Sequence, residues 1–116
     1  MPGMMTRALI LAAPLAFLPA PALADATSFT LVNATPANMT SVQIRRSGTQ
    51  GWKPLGVAPA AGAQGAVQFS DPDCAFDIEA SLADSGKAVW SGVNLCEVKI
   101  VRLNRNDSGA VWVDYD

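Results

Sequence analysis

The stretch CAFDIEASLADSGKAVWSGVNLC, residues 74–96, carries both cysteines of the chain, one at each end. Its first part has the cleanest alternation in the sequence: Cys74, Phe76, Ile78, Ala80 and Leu82 share one face of an extended strand, and Asp77, Glu79 and Ser81 share the other. Ala83-Asp84-Ser85-Gly86-Lys87 then reads as a three-residue hairpin loop, a type I turn followed by Gly86 in the left-handed conformation that glycine adopts at little cost. With Ala83 facing Lys87, the ladder sets Leu82 opposite Ala88, Ala80 opposite Trp90, Ile78 opposite Gly92 and Cys74 opposite Cys96. Opposed residues of an antiparallel pair have Cα atoms ~4.5–5.5 Å apart, which a disulfide tolerates. A two-residue loop, Ser85-Gly86, is the competing register. It would turn Val89, Val93 and Leu95 inward and move Cys74 opposite Glu97. The first register is preferred because turn and sulfur geometry agree. In that register Asn94 can still break the ladder before Cys96, leaving the bridge at a strand end. Closing a loop of this length contributes ~3 kcal/mol in the chain-entropy model.

Outward from this hairpin the chain keeps the same character. No segment shows apolar spacing of three and four, and Gly, Pro, Ser or Asn recur at the spacing of an all-β domain. Strands are expected over 28–33 (SFTLVN), 41–46 (SVQIRR), 66–70 (AVQFS), 87–93 (KAVWSGV), 96–104 (CEVKIVRLN) and 109–115 (GAVWVDY), besides 74–82. GWKPLG, 51–56, is a short edge or turn segment, because Pro54 cannot donate to a central ladder. Asp71, Pro72 and Asp73 make a turn. In VKIVRL the apolar phase slips between Ile100 and Val101, which calls for a bulge or a strand buried on both faces.

The first 24 residues have the layout of a secretory signal: Arg7, the apolar run 8–18, and small residues at Ala22 and Ala24 before the expected cleavage. As a membrane anchor the run is short, reaching only ~17 Å as a helix against a hydrocarbon core of ~30 Å. Cleavage would leave residues 25–116, one domain with seven basic and ten acidic side chains and a net charge of −3. That balance argues against nucleic acid or an anionic membrane as partner. Two cysteines in an exported chain are most simply one disulfide, Cys74 to Cys96. Arg45-Arg46 and Arg102 with Arg105 are read as solvated strand faces, with an anion-binding patch as the alternative.

Several chemistries lack their residues. There is no histidine, which removes the usual general base, the Ser-His-Asp triad and histidine-ligated metal. Bonded cysteines remove thiolate catalysis and cysteine-ligated zinc. No glycine-rich phosphate loop is present, and no cofactor is expected. Asp71, Asp73, Asp77 and Glu79 form the densest acidic run, read as turn chemistry and a solvated face; calcium and a glycosidase-like carboxylate pair are the alternatives. Trp90 is expected in the core. Trp52 and Trp112 are expected to be partly exposed and are the candidate contacts for a protein or glycan partner.

Phe29-Thr-Leu-Val-Asn-Ala-Thr, Trp52-Lys-Pro-Leu-Gly, Cys74-Ala-Phe-Asp-Ile and Trp90-Ser-Gly-Val-Asn-Leu-Cys96 resemble a group of short exported proteins of Gram-negative bacteria with no established function. The resemblance covers roughly residues 29–101. It implies a shared fold and compartment and supplies no catalytic residues. Asn33-Ala-Thr, Asn38-Met-Thr and Asn106-Asp-Ser match the N-glycosylation pattern, but a bacterial leader discounts them. The expectation is therefore a periplasmic or secreted, immunoglobulin-like antiparallel β-sandwich of seven or eight short strands. Its expected role is non-enzymatic binding or an envelope function, with a small carboxylate hydrolase or a structural surface protein as alternatives.

Overall fold

The computed structural model describes residues 25–116; the expected leader, residues 1–24, lies outside the described residues. These residues are all-β, with eight strands: β1 Ala26–Ala34, β2 Met39–Arg46, β3 Lys53–Pro54, β4 Gln64–Asp71, β5 Ala75–Leu82, β6 Gly86–Asn94, β7 Ile100–Arg105 and β8 Val111–Tyr115. They form two four-stranded sheets, ordered β4-β1-β7-β8 and β3-β2-β5-β6. Period-two alternation puts Phe29, Leu31, Val67, Val101 and Leu103 of the first sheet against Val42, Ile44, Phe76, Ile78, Ala80 and Trp90 of the second, all buried. This two-layer sandwich is the expected fold class. Among the described residues no helix is long and apolar enough to cross a membrane.

Not every pair of strands is antiparallel. β1 and β7 run parallel, with Thr30 beside Ile100 and Ala34 beside Asn104. Both enter their sheet from the same end, where Ala26 bridges Cys96 and the Thr30 amide donates to the Lys99 carbonyl. Neighbouring strands that start at one end must run the same way, and the connection between them passes through β2 to β6. The phase slip at Ile100 marks the start of β7: residues 96–99 precede the strand and Glu97 takes a left-handed φ of 59°. The expected bulge and the expected double burial are both replaced by this irregular entry.

The β5–β6 hairpin forms, but in neither expected register. Leu82 pairs with Gly86, Ala80 with Ala88 and Ile78 with Trp90. Gly86, at φ 77°, joins the ladder itself, so the loop is Ala83-Asp84-Ser85. Beyond Trp90 the register shifts, and Phe76 pairs with Val93 and Ala75 with Asn94. Ser91 and Gly92 together oppose Asp77 in a bulge that Gly92 permits with a φ of 66°. The bulge switches the inward face from Ala88 and Trp90 to Val93 and Leu95, so each expected inward set holds for one half of the strand. Gly92 does not sit opposite Ile78.

The disulfide joins Cys74 to Cys96 with Cα atoms 5.1 Å apart. It lies beyond the ladder's end: the Leu95 amide donates to the Cys74 carbonyl, and the Cys96 amide turns to the Asn94 side chain. Each cysteine stands on a segment that carries the chain between the sheets, Cys74 between β4 and β5 and Cys96 between β6 and β7. The clasp therefore ties two crossovers at one end of the sandwich.

Candidate binding surfaces

At the disulfide end, Asp71 makes the expected turn, its Oδ1 accepting from the Asp73 amide at 2.8 Å, but Asp77 is not on a solvated face. Arg46 reaches from β2 to the opposite sheet, its Nη2 3.0 Å from Asp71 Oδ1 and its Nε 3.0 Å from Asp73 Oδ2. These pairings raise the Arg46 pKa, chiefly through the hydrogen bond to Asp71. Partial burial pushes the Asp71 carboxyl up, but the Asp73 amide and the Arg46 guanidinium outweigh it and leave the group below its ordinary value. Asp77 lies on the outer face of β5, yet it is buried. Its carboxylate accepts from Ser47 Oγ at 2.8 Å, Arg45 Nε at 3.0 Å and the Gly92 amide at 3.1 Å. Here too burial raises the pKa, and the three donors more than offset it, so the group stays ionised below the usual range.

A cleft of about 370 Å³ opens beside this network, floored by Ile44, Phe69 and Phe76 and rimmed by Arg46, Lys53 and Asp71. Of Asp71, Asp73 and Asp77, only Asp71 lines it. General acid catalysis needs a carboxyl that holds a proton near neutral pH. Asp71 and Asp77 are shifted the other way, and all three are committed to arginines. Among the described residues no three acidic, cysteine or histidine side chains lie together as a metal-ligand set.

The two candidate tryptophans are placed differently. Trp52 is half-buried, and the Arg45 guanidinium covers its ring at 4.2 Å from the centroid. One stacking face is thus already occupied by the arginine that also binds Asp77. Trp112 is 45% exposed on the outer face of β8. Trp90 is buried, and its indole N–H donates 2.9 Å across the sandwich to the Asn104 carbonyl.

Trp112 has company. The exposed large apolar residues among those described are Val89 on β6 and Val111, Trp112 and Tyr115 on β8, at 37–45% exposure. β6 and β8 are the last strands of their sheets and touch along the same side of the sandwich. Both edges of β8 can be assigned from its ladder with β7. Asp116 and Ile100 exchange amide–carbonyl bonds at 3.0 Å, and the Asn106 amide donates to the Ala110 carbonyl. Antiparallel ladders alternate bonded and non-bonded pairs, so Trp112 and Asp114 turn their backbone groups toward β7. Val111, Val113 and Tyr115 turn theirs away, along an edge to which no strand is paired, although β6 lies beside it and the Asn94 amide donates to the Tyr115 hydroxyl at 2.9 Å.

Asn33 is a polar residue to which sequence reasoning gave no structural role. It is fully buried, its Nδ2 donating to the carbonyls of Ala37 and Pro59 and its Oδ1 accepting from the Thr35 amide and hydroxyl. A glycan cannot be carried there in the folded chain. The Asn-x-Thr spacing ahead of Pro36 was the available signal, since such a side chain folds back onto the backbone two residues on. Compared with known proteins, the chain matches no family model, no curated protein and no solved structure.

Proposed function

We propose that this chain is an exported, non-enzymatic binding module of the periplasm or envelope that engages a protein partner through the β8 edge. The leader-like start and the Cys74–Cys96 bond support export, because such bonds persist in oxidising compartments. One observation carries the binding reading: Val111, Trp112 and Tyr115 lie exposed on a strand whose outer row of amides and carbonyls has no partner. An unpaired apolar edge is a template for an added strand. Hydrolase chemistry draws no support from carboxylates held ionised by arginine.

Photo-cross-linking in cells tests this reading. A photoreactive residue at position 112 should give discrete protein adducts, recovered from the periplasm with a mature chain that begins at Asp25. One at Gln68, exposed on the edge strand β4 at the other side, should not. Absence of adducts at 112, or the same set at both positions, would refute it.

A further inference from the structure

We propose that the occupant of the β8 edge is a second copy of this chain, paired β8 to β8 antiparallel about Val113; this rests on the reading of β8 as a binding edge. The outward-facing set is symmetric. Val111, Val113 and Tyr115 each present one amide and one carbonyl, with Val113 at the centre. Setting Val113 against Val113 of the second copy places Val111 against Tyr115 on both sides of a two-fold axis. Every outward amide and carbonyl of both strands is then paired, because bonded positions meet bonded positions. A slip of one residue would set outward groups against side chains. A slip of two would leave an end of each strand unpaired.

The side chains suit this register. Facing the sandwich interior, Val111 meets Tyr115 and the two Val113 side chains meet each other, covering residues now 37% and 40% exposed at the rim. On the outer face Trp112 meets Asp114 of the second copy, while Asp116 meets Ala110. No charge stands directly opposite a like charge, which such pairing requires. The pairing is isologous, the same patch serving both copies, and it closes on itself.

The other edge strands are blunted. β3 is two residues, Lys53–Pro54; β6 carries Lys87 and the Gly92 bulge. β4 carries a bulge, where Gln68 and Phe69 together oppose Ser28. β8 alone has no lysine, proline or bulge among the described edge strands. The contact is a short one, so the dimer belongs with weak, concentration-dependent associations.

Sedimentation velocity on the purified protein across a concentration series decides the matter, with thermal melts to verify folding. The unmodified chain should shift from monomer toward dimer as concentration rises. Trp112→Glu would set a carboxylate against Asp114 twice per dimer and should weaken association about tenfold or more. Trp112→Lys removes the same indole but sets opposite charges together, and should leave association within a few fold of the unmodified chain. Both variants should stay folded, since Trp112 is exposed. Equal loss in both, no effect in either, or a monomer at every concentration would overturn self-pairing. A monomer that still forms discrete adducts with other proteins at position 112 would overturn only this inference. Absence of any adduct there would overturn the binding reading itself.

Discussion

Removing the Cys74–Cys96 bond, by reductant or by the double substitution Cys74→Ala and Cys96→Ala, isolates what the clasp contributes. The bond spans 22 residues of sequence. For a closed loop of that size the chain-entropy model gives ~3 kcal/mol, arising from the freedom returned to the unfolded chain. A domain of 92 described residues loses roughly 5 °C in melting temperature per kcal/mol, so the midpoint should fall by about 15 °C. The hairpin that the bond encloses is held independently by its ladder and by Phe76, Ile78 and Trp90 in the core. Amide exchange in β5 and β6 should therefore stay protected below the new midpoint. Calorimetry with and without reductant, joined to exchange measurements, checks both parts. A midpoint shift of only a degree or two would refute the entropic account. Loss of β5–β6 protection well below the midpoint would mean that the bond holds the native state together directly.

Two further outcomes follow from the polar interior. Asp71 and Asp77 both titrate below the ordinary 3.8, so their contribution is complete at pH above that value and is lost as pH falls through the folded-state values. Asp77→Asn should cost about 2 kcal/mol at neutral pH, the scale of hydrogen bonds to a charged group, and should flatten acid denaturation curves; an unchanged acid slope would contradict the assignment. Asn33→Ala should cost about 2 kcal/mol, because it strands the buried Thr35 amide, while the Pro59 carbonyl keeps the Met39 amide and the Thr35 hydroxyl keeps the Ala37 carbonyl; Asn33→Asp should be no better since it loses both donors. Urea titrations of the two variants measure this, and a loss under 1 kcal/mol in Asn33→Ala would show that other groups can satisfy the corner.

Local pattern made the strands legible. Alternation in 74–82 and the turn around Gly86 depend on neighbours in sequence, and both stand in the structure. The register was not legible, because the Ser91–Gly92 bulge answers to an acceptor on the other strand, Asp77. Nor was the state of Asp77 itself, which alternation places outward but which Arg45 and Ser47 of β2 and its following turn enclose. The same arginine covers Trp52, a contact between residues that only sheet pairing brings together. Trp112 is exposed as expected, although its sequence neighbours Val111 and Val113 are apolar. That β8 is an unpaired edge could not be read, since strand order comes from long-range pairing and leaves no trace in a five-residue segment.

The parallel neighbours β1 and β7 set the order in which the chain can acquire its structure. Residues 30 and 100 meet side by side, and the entropy of closing so long a loop must be met before that contact returns anything. The β5–β6 ribbon closes over a three-residue loop, and oxidation of its two sulfurs requires nothing from the rest of the molecule. Local ring closure can thus precede assembly of the first sheet, and the joining of β7 to β1 is expected to follow it.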